Sequence, residues 1–490
     1  MYNICGEFNI FNTKYILSFL LILFVLFSAI SISSATDFTE IQDAVDNANE
    51  NDTIELNGNY TSNGEVIHVN KSGLKFVGKN STIIDGNNLS SIFNVSSSNV
   101  KFNNINFINA NGVRGGAIYT SGTRTYIEDC NFTYCNSKWG AGVFFEGVGG
   151  TVVNSNFKNN HATYGVSIYV NAANTSVFYS NFINNTAINC APGIFGNASN
   201  LYVVGSNFID NHAGYTGGGI TLNNGENDSI LGCTFINNFG SLGGAINWGT
   251  PNGIVYMCSF INNSADMGGA ILWRSPNGTV ENSIFDGNKA ELGNTFTKRK
   301  DVDVSLNKDY WAVNASNARE FEKYKFVTYY DTYDNGTMFE VAYAPNSWVL
   351  MSIYNDSEVI YGKNAKFSVA LDTLTDGKEY VEMEGSLPDY TTSITINNKK
   401  PILLTIPFDG IAQFVVKVDS LYLNIVAKSP ITGLKESSLF IKSLIENNES
   451  NSTKTNLKLE CDGISMENTG SSLFLLIISL LSLPILKRKI

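Results

Sequence analysis

Apolar positions return along this chain on a beat of 25 to 27 residues. The stretch FINNSADMGGAILW at 260–273 reappears as FINNFGSLGGAINW from Phe235 and more loosely as FIDNHAGYTGGGITL from Phe208. Anchored on its phenylalanine, the repeat runs Phe107, Phe132, Phe157, Phe182, Phe208, Phe235, Phe260 and Phe285. Five residues earlier lies an unbroken apolar column: Phe102, Ile127, Val152, Val177, Val203, Ile230, Val255 and Val280. Three residues later come Asn160, Asn185, Asn211, Asn238, Asn263 and Asn288, with Ala110 and Cys135 as the exceptions. A second apolar column reads Ile118, Val143, Ile168, Ile194, Ile220, Ile246, Ile271 and Phe296. It is preceded at three residues by Gly115, Gly140, Gly165, Gly217, Gly243, Gly268 and Gly293, with Ala191 in the remaining coil.

A unit this short cannot hold a helical crossover between parallel strands, which takes about 30 residues or more. It fits one turn of a parallel β-helix, in which short strands stack on those of the next coil about 4.8 Å away. The fold class predicted is therefore all-β, a parallel β-helix over 93–310. Its Phe and Val/Ile columns fill the interior. The Asn column makes the bend, tolerating the left-handed conformation and bonding amide to amide between coils. Glycine marks the turn before the second apolar column.

The flanks break the period. Residues 36–92 predict a capping helix and irregular first coils: Ile41, Ala44, Val45 and Ala48 fall at helical spacing, with Thr39 and Gln42 as a capping box. Residues 311–345 predict the cap at the other end, since open strand edges must be covered. From 346 to 428, alternating stretches such as AKFSVAL, TTSITINN and AQFVVKVD predict a small immunoglobulin-like β-sandwich. The polar residues 429–465 read as a spacer.

Composition narrows the function. The formal net charge of −12 argues against nucleic acid as a partner. Seven cysteines show no metal-ligand spacing and no disulfide framework. Cys130, Cys233 and Cys258 share a column with Ser155, Ser180, Ser206 and Ser283, which asks for a small packing residue. No cofactor is expected. The apolar run after Lys14, followed by Ser33 and Ala35, reads as a signal peptide over 1–35, or else as an uncleaved anchor. Residues 466–490 join a short motif, an apolar stretch and a basic end, which suits a sorting signal or a plain membrane anchor.

The combination of FxxN with GGA[ILV] resembles the repeats of polymorphic outer membrane proteins and of methanogen adhesin-like surface proteins, over about residues 93–296. That resemblance implies a right-handed β-helix and a role at the cell surface, with a glycan or a protein as partner. Met466, Glu467, Asn468, Thr469 and Gly470 stand where wall-anchored proteins carry Leu-Pro-x-Thr-Gly, without the Leu-Pro. Membrane or cell-wall attachment through the C-terminus is expected either way.

A polysaccharide lyase or hydrolase is the catalytic rival, and a structural envelope component the inert one. Catalysis would need carboxylates converging from adjacent coils. Asp129, Asp210, Asp266 and Asp286 instead occupy different columns, and Arg114 has no aligned acid. His161 and His212 share a column with Thr186 between them. Strand alternation turns Tyr119, Phe144, Tyr169 and Phe195 outward on four successive coils. They form a candidate ligand-binding ladder, with packing against a neighbouring loop as the other reading.

Overall fold

The computed structural model describes residues 36–313, 315–332, 338–408 and 410–445. They form two compact units, one of residues up to 229 with 233–251, the other of 230–232 with 252 onward. The signal segment 1–35 and the sorting motif Met466–Gly470 lie outside the described residues.

In the first unit every coil adds short parallel strands to the same ladders. Phe107, Phe132, Phe157, Phe182, Phe208 and Phe235 pair in register. Their rings stack at 4.6 to 5.0 Å within 15° of parallel and are fully buried. The columns from Phe102 to Val203 and from Ile118 to Ile246 pair the same way, also inside. Each such side chain contributes about 1.5–3 kcal/mol by leaving water.

The two asparagines of the FINN phrase divide the labour expected of one. The first holds the bend: Asn109, Asn159, Asn184 and Asn237, with Asp210, have φ between 48° and 55°. The second is buried and carries the hydrogen bonds. Asn185 Oδ1 accepts from the Asn160 backbone N–H and side-chain amide at 3.0 and 3.1 Å. The Asn185 amide in turn donates to Phe157 O and Asn211 Oδ1 at 2.9 and 3.0 Å.

The Ser/Cys column is likewise a hydrogen-bond ladder, not merely a site for small packing residues. Ser180 Oγ accepts from Ser155 N at 3.1 Å and donates to Phe178 O at 2.9 Å. Cys130 Sγ and Cys258 Sγ donate to carbonyls two residues back as the serines do. Ser180→Ala therefore leaves a buried N–H without an acceptor, at a cost of about 1–3 kcal/mol. Urea unfolding should show that loss for Ser180→Ala and a smaller one for Ser180→Cys.

The N-terminal cap is the helix Phe38–Asn47, with Phe38, Ile41 and Val45 buried. Asp37 caps it, accepting from Thr39 N, so the cap lies two residues before the Thr39 of the expected capping box. Gln42 is free for another task. Its amide oxygen accepts from His68 N at 2.7 Å and its nitrogen donates to His68 O at 3.2 Å, closing the edge of the strand Ile67–Val69.

The second unit has coils of its own and ends in a sandwich. Phe260 and Phe285 stack at 4.9 Å, and Trp311 takes the next place at 4.4 Å from Phe285. The helix Ala318–Lys323 lays Phe321 against Trp311 and Trp348. The strand Trp348–Asn355 pairs parallel to Asp309–Tyr310, so the sandwich's own first strand covers the last ladder, beyond the cap expected at 311–345. One antiparallel sheet holds Trp348–Asn355, Asn364–Thr375, Tyr380–Glu382 and Ile411–Lys417. The other holds Ile402–Ile406, Tyr390–Ile396, Tyr422–Lys428 and Lys435–Lys442. That last strand lies inside the stretch expected to be a spacer. Leu439 and Ile441 are buried in the common core, which is why the sandwich needs it.

Candidate binding site

The outward ladder exists and is more covered than alternation alone suggests. Phe144 and Tyr169 stack at 4.8 Å and 3°, Tyr169 and Phe195 at 4.9 Å and 19°, and Tyr119 and Phe144 at 5.7 Å and 37°. Phe144 is only 3% exposed and Phe195 8%, while Tyr119 and Tyr169 are half-buried. For Tyr169 and Phe195 the glycine turn of the preceding coil approaches closely. A Cβ on Gly140 would stand 3.2 Å from Tyr169 Cβ, and one on Gly165 2.8 Å from Phe195 Cβ. Burial raises the Tyr169 hydroxyl pKa, with Cys190 and Glu146 adding to it.

Across that turn a second aromatic pair continues the face. Arg114, Trp139 and Tyr164 occupy one register column, each immediately before the turn glycine. Trp139 and Tyr164 stack at 6.4 Å and are half-buried. The Arg114 guanidinium lies 5.8 Å from both the Trp139 and Phe144 rings, so it joins the two ladders. Lys138 Nζ sits 4.3 Å from the Trp139 ring. Glu146 completes the group, 3.6 Å from Arg114 and accepting from the Asn171 amide at 3.1 Å. Arg114 thus has an acid partner after all, reached across coils and across columns. The arrangement offers aromatic edges for apolar contact with a partner, flanked by two cations and one carboxylate.

The other singled-out residues do not converge here. Asp129 and Asp210 replace asparagine in left-handed bends, accepting from Asn154 at 2.6 Å and Asn237 at 3.1 Å. Asp266 is exposed and Asp286 is buried. His161 and His212 pair in register through Thr186, as the columns required. His161 lines a shallow groove with Tyr134, Asn159, Asn184 and Thr186, and His212 stacks on Phe239 at 4.7 Å. Among the described residues no group of three or more His, Cys, Asp or Glu is arranged to hold a metal ion.

The family profile described as "Right handed beta helix region" matches residues 141–309. Over that span the chain folds as a parallel β-helix. No curated protein sequence matches it. Two solved structures are similar: a PL6 alginate lyase in complex with a trisaccharide and the alginate lyase AlyF-OU02. The first is 11% identical, covering 63% of this chain and 92% of that one, at a TM-score of 0.35. The second is 13% identical, covering 62% of each chain, at a TM-score of 0.35.

Sequence reading missed Trp139 and Tyr164, and it left Arg114 without the acid partner that the structure supplies. A signal was present, since the residue before each turn glycine forms a column of its own. Glu146 had no such signal, because its contact with Arg114 crosses from one coil to the next.

Proposed function

We propose that this β-helix protein is an exported, surface-held, adhesin-like binder of glycans. In this reading the partner engages the face formed by Trp139, Tyr164 and Tyr169, with Phe144 packed beneath it. The observation that carries it is the junction at Arg114, where two aromatic ladders meet around one exposed cation. Aromatic rings give a pyranose large contact area at low entropy cost, and the flanking charges and amides supply polar contacts. Export through residues 1–35, attachment through 466–490 and kinship with methanogen adhesin-like proteins belong to the same proposal. They rest on the apolar run before Ala35, the basic C-terminal end and the FxxN/GGA repeats.

The test is a glycan array of neutral and uronic-acid-bearing oligosaccharides, read with the purified protein. Trp139→Ala is the informative variant. Phe144 is too buried for a clean binding test, since truncation there also leaves a cavity. A stacked ring contributes about 0.5–1.5 kcal/mol beyond the area it buries, so Trp139→Ala should weaken binding several-fold or more while the melting curve stays close to wild type. No array signal with wild type, or unchanged binding by Trp139→Ala, would remove the proposal. Cleavage of any arrayed polysaccharide would replace it with the lyase or hydrolase reading.

A further inference from the structure

Within the second unit two carboxyl groups meet where the sandwich packs on the final coils. Asp286 ends the strand Ile284–Asp286, and Glu436 lies on Lys435–Lys442. Tyr390, which opens the strand Tyr390–Ile396, stands between them. Its hydroxyl is 3.0 Å from Asp286 Oδ2 and also hydrogen-bonds Glu436 Oε1. All three residues are at most 3% exposed.

A phenol has one proton, so it donates to one carboxylate only. The second carboxyl can complete the bridge only by carrying a proton and donating it to the phenol oxygen. The outer oxygens have donors of their own: Ser429 Oγ donates to Asp286 Oδ1 at 2.6 Å, and Thr392 Oγ1 donates to Glu436 Oε2. Tyr310, from the strand Asp309–Tyr310, faces the same cluster with its ring 5.1 Å from that of Tyr390. The groups facing the pair are two tyrosines, two aliphatic hydroxyls, the Gly287 backbone N–H beside Asp286, and the opposing carboxyl.

We propose that Asp286 and Glu436 share one proton through Tyr390, and that this proton fastens the β-sandwich to the last coils of the β-helix. Loss of the proton would leave two carboxylates competing for the single Tyr390 proton in a buried site, where like charges repel strongly. The electrostatics agree in direction. Burial raises the Asp286 carboxyl above its ordinary range and pushes Glu436 up to about 7. The folded state then binds protons that an unfolded carboxyl, with a pKa of about 4, would release. The stabilisation is complete at acid pH, falls as pH rises from that ordinary range to about 7, and is gone above it.

Amide hydrogen exchange on the intact protein tests this, with rates converted to protection factors to remove the intrinsic pH dependence. Between pH 5.5 and 8.5, the strands Tyr390–Ile396 and Lys435–Lys442 should lose protection at least tenfold. The strands Asn156–Lys158 and Asn181–Ile183 should keep theirs. Glu436→Gln, which cannot ionise, should hold its protection across that range, and Asp286→Asn is the second variant should the first misfold. Equal wild-type protection at both pH values would overturn the proposal. So would a pH-dependent loss that persists in whichever variant folds.

Discussion

Phe182→Ala should destabilise the β-helix by about 3–5 kcal/mol. The ring lies in mid-stack, 5.0 Å from Phe157 and 4.6 Å from Phe208, and is fully buried. Truncation removes its transfer free energy and also strips both neighbours of contact. The space cannot collapse readily, because the hydrogen-bonded ladders on either side hold the coil spacing at the strand–strand distance. Hydrogen exchange should locate the loss on the strands Asn156–Lys158, Asn181–Ile183 and Asn207–Ile209. An unchanged unfolding midpoint would show that the stack is not a principal source of stability.

Asn185→Ala should cost as much through a different route. The side chain serves the Asn160 backbone N–H and amide, the Phe157 carbonyl and the Asn211 amide oxygen. Its removal leaves the Asn160 N–H and the Phe157 carbonyl buried without these partners. At about 1–3 kcal/mol for each stranded group, a loss of about 3–5 kcal/mol is expected. The adjacent Asn184 provides the internal control. Its φ of 52° is the feature that matters, so Asn184→Gly should be nearly neutral and Asn184→Ala should cost about 1 kcal/mol. Equal losses at positions 184 and 185 would contradict the division of roles between the two asparagines.

The solenoid was legible because stacking forces the same demand on every coil. A position buried between identical neighbours must be Phe each time, and the repeat shows it. What each asparagine does was less legible, since the residue type suits both a left-handed bend and an amide ladder. The serine and cysteine column misled for a related reason. Both residues are small, and only the backbone N–H of the preceding coil shows that they act as acceptors.

The sandwich boundary failed where chemistry interrupts pattern. In Lys435–Lys442 the buried positions include Glu436 and Ser437 beside Leu439 and Ile441. A buried acid breaks the apolar alternation by which a strand is recognised. It is the same acid that the further inference engages. At the binding face, the ladder from Tyr119 to Phe195 could be read from alternation, whereas its cover could not. At Tyr169 and Phe195 glycine turns approach the ladder, and they have no side chain to advertise the contact.

The scaffold columns should carry stability while the rings around Arg114 carry recognition. A crystal structure of the protein with its strongest array ligand tests this most directly. A sugar ring is expected in contact with Trp139 or Tyr164, with a polar group of the ligand within hydrogen-bond distance of Arg114 or Lys138. A ligand bound on the sandwich, or along the groove beside His161, would contradict it.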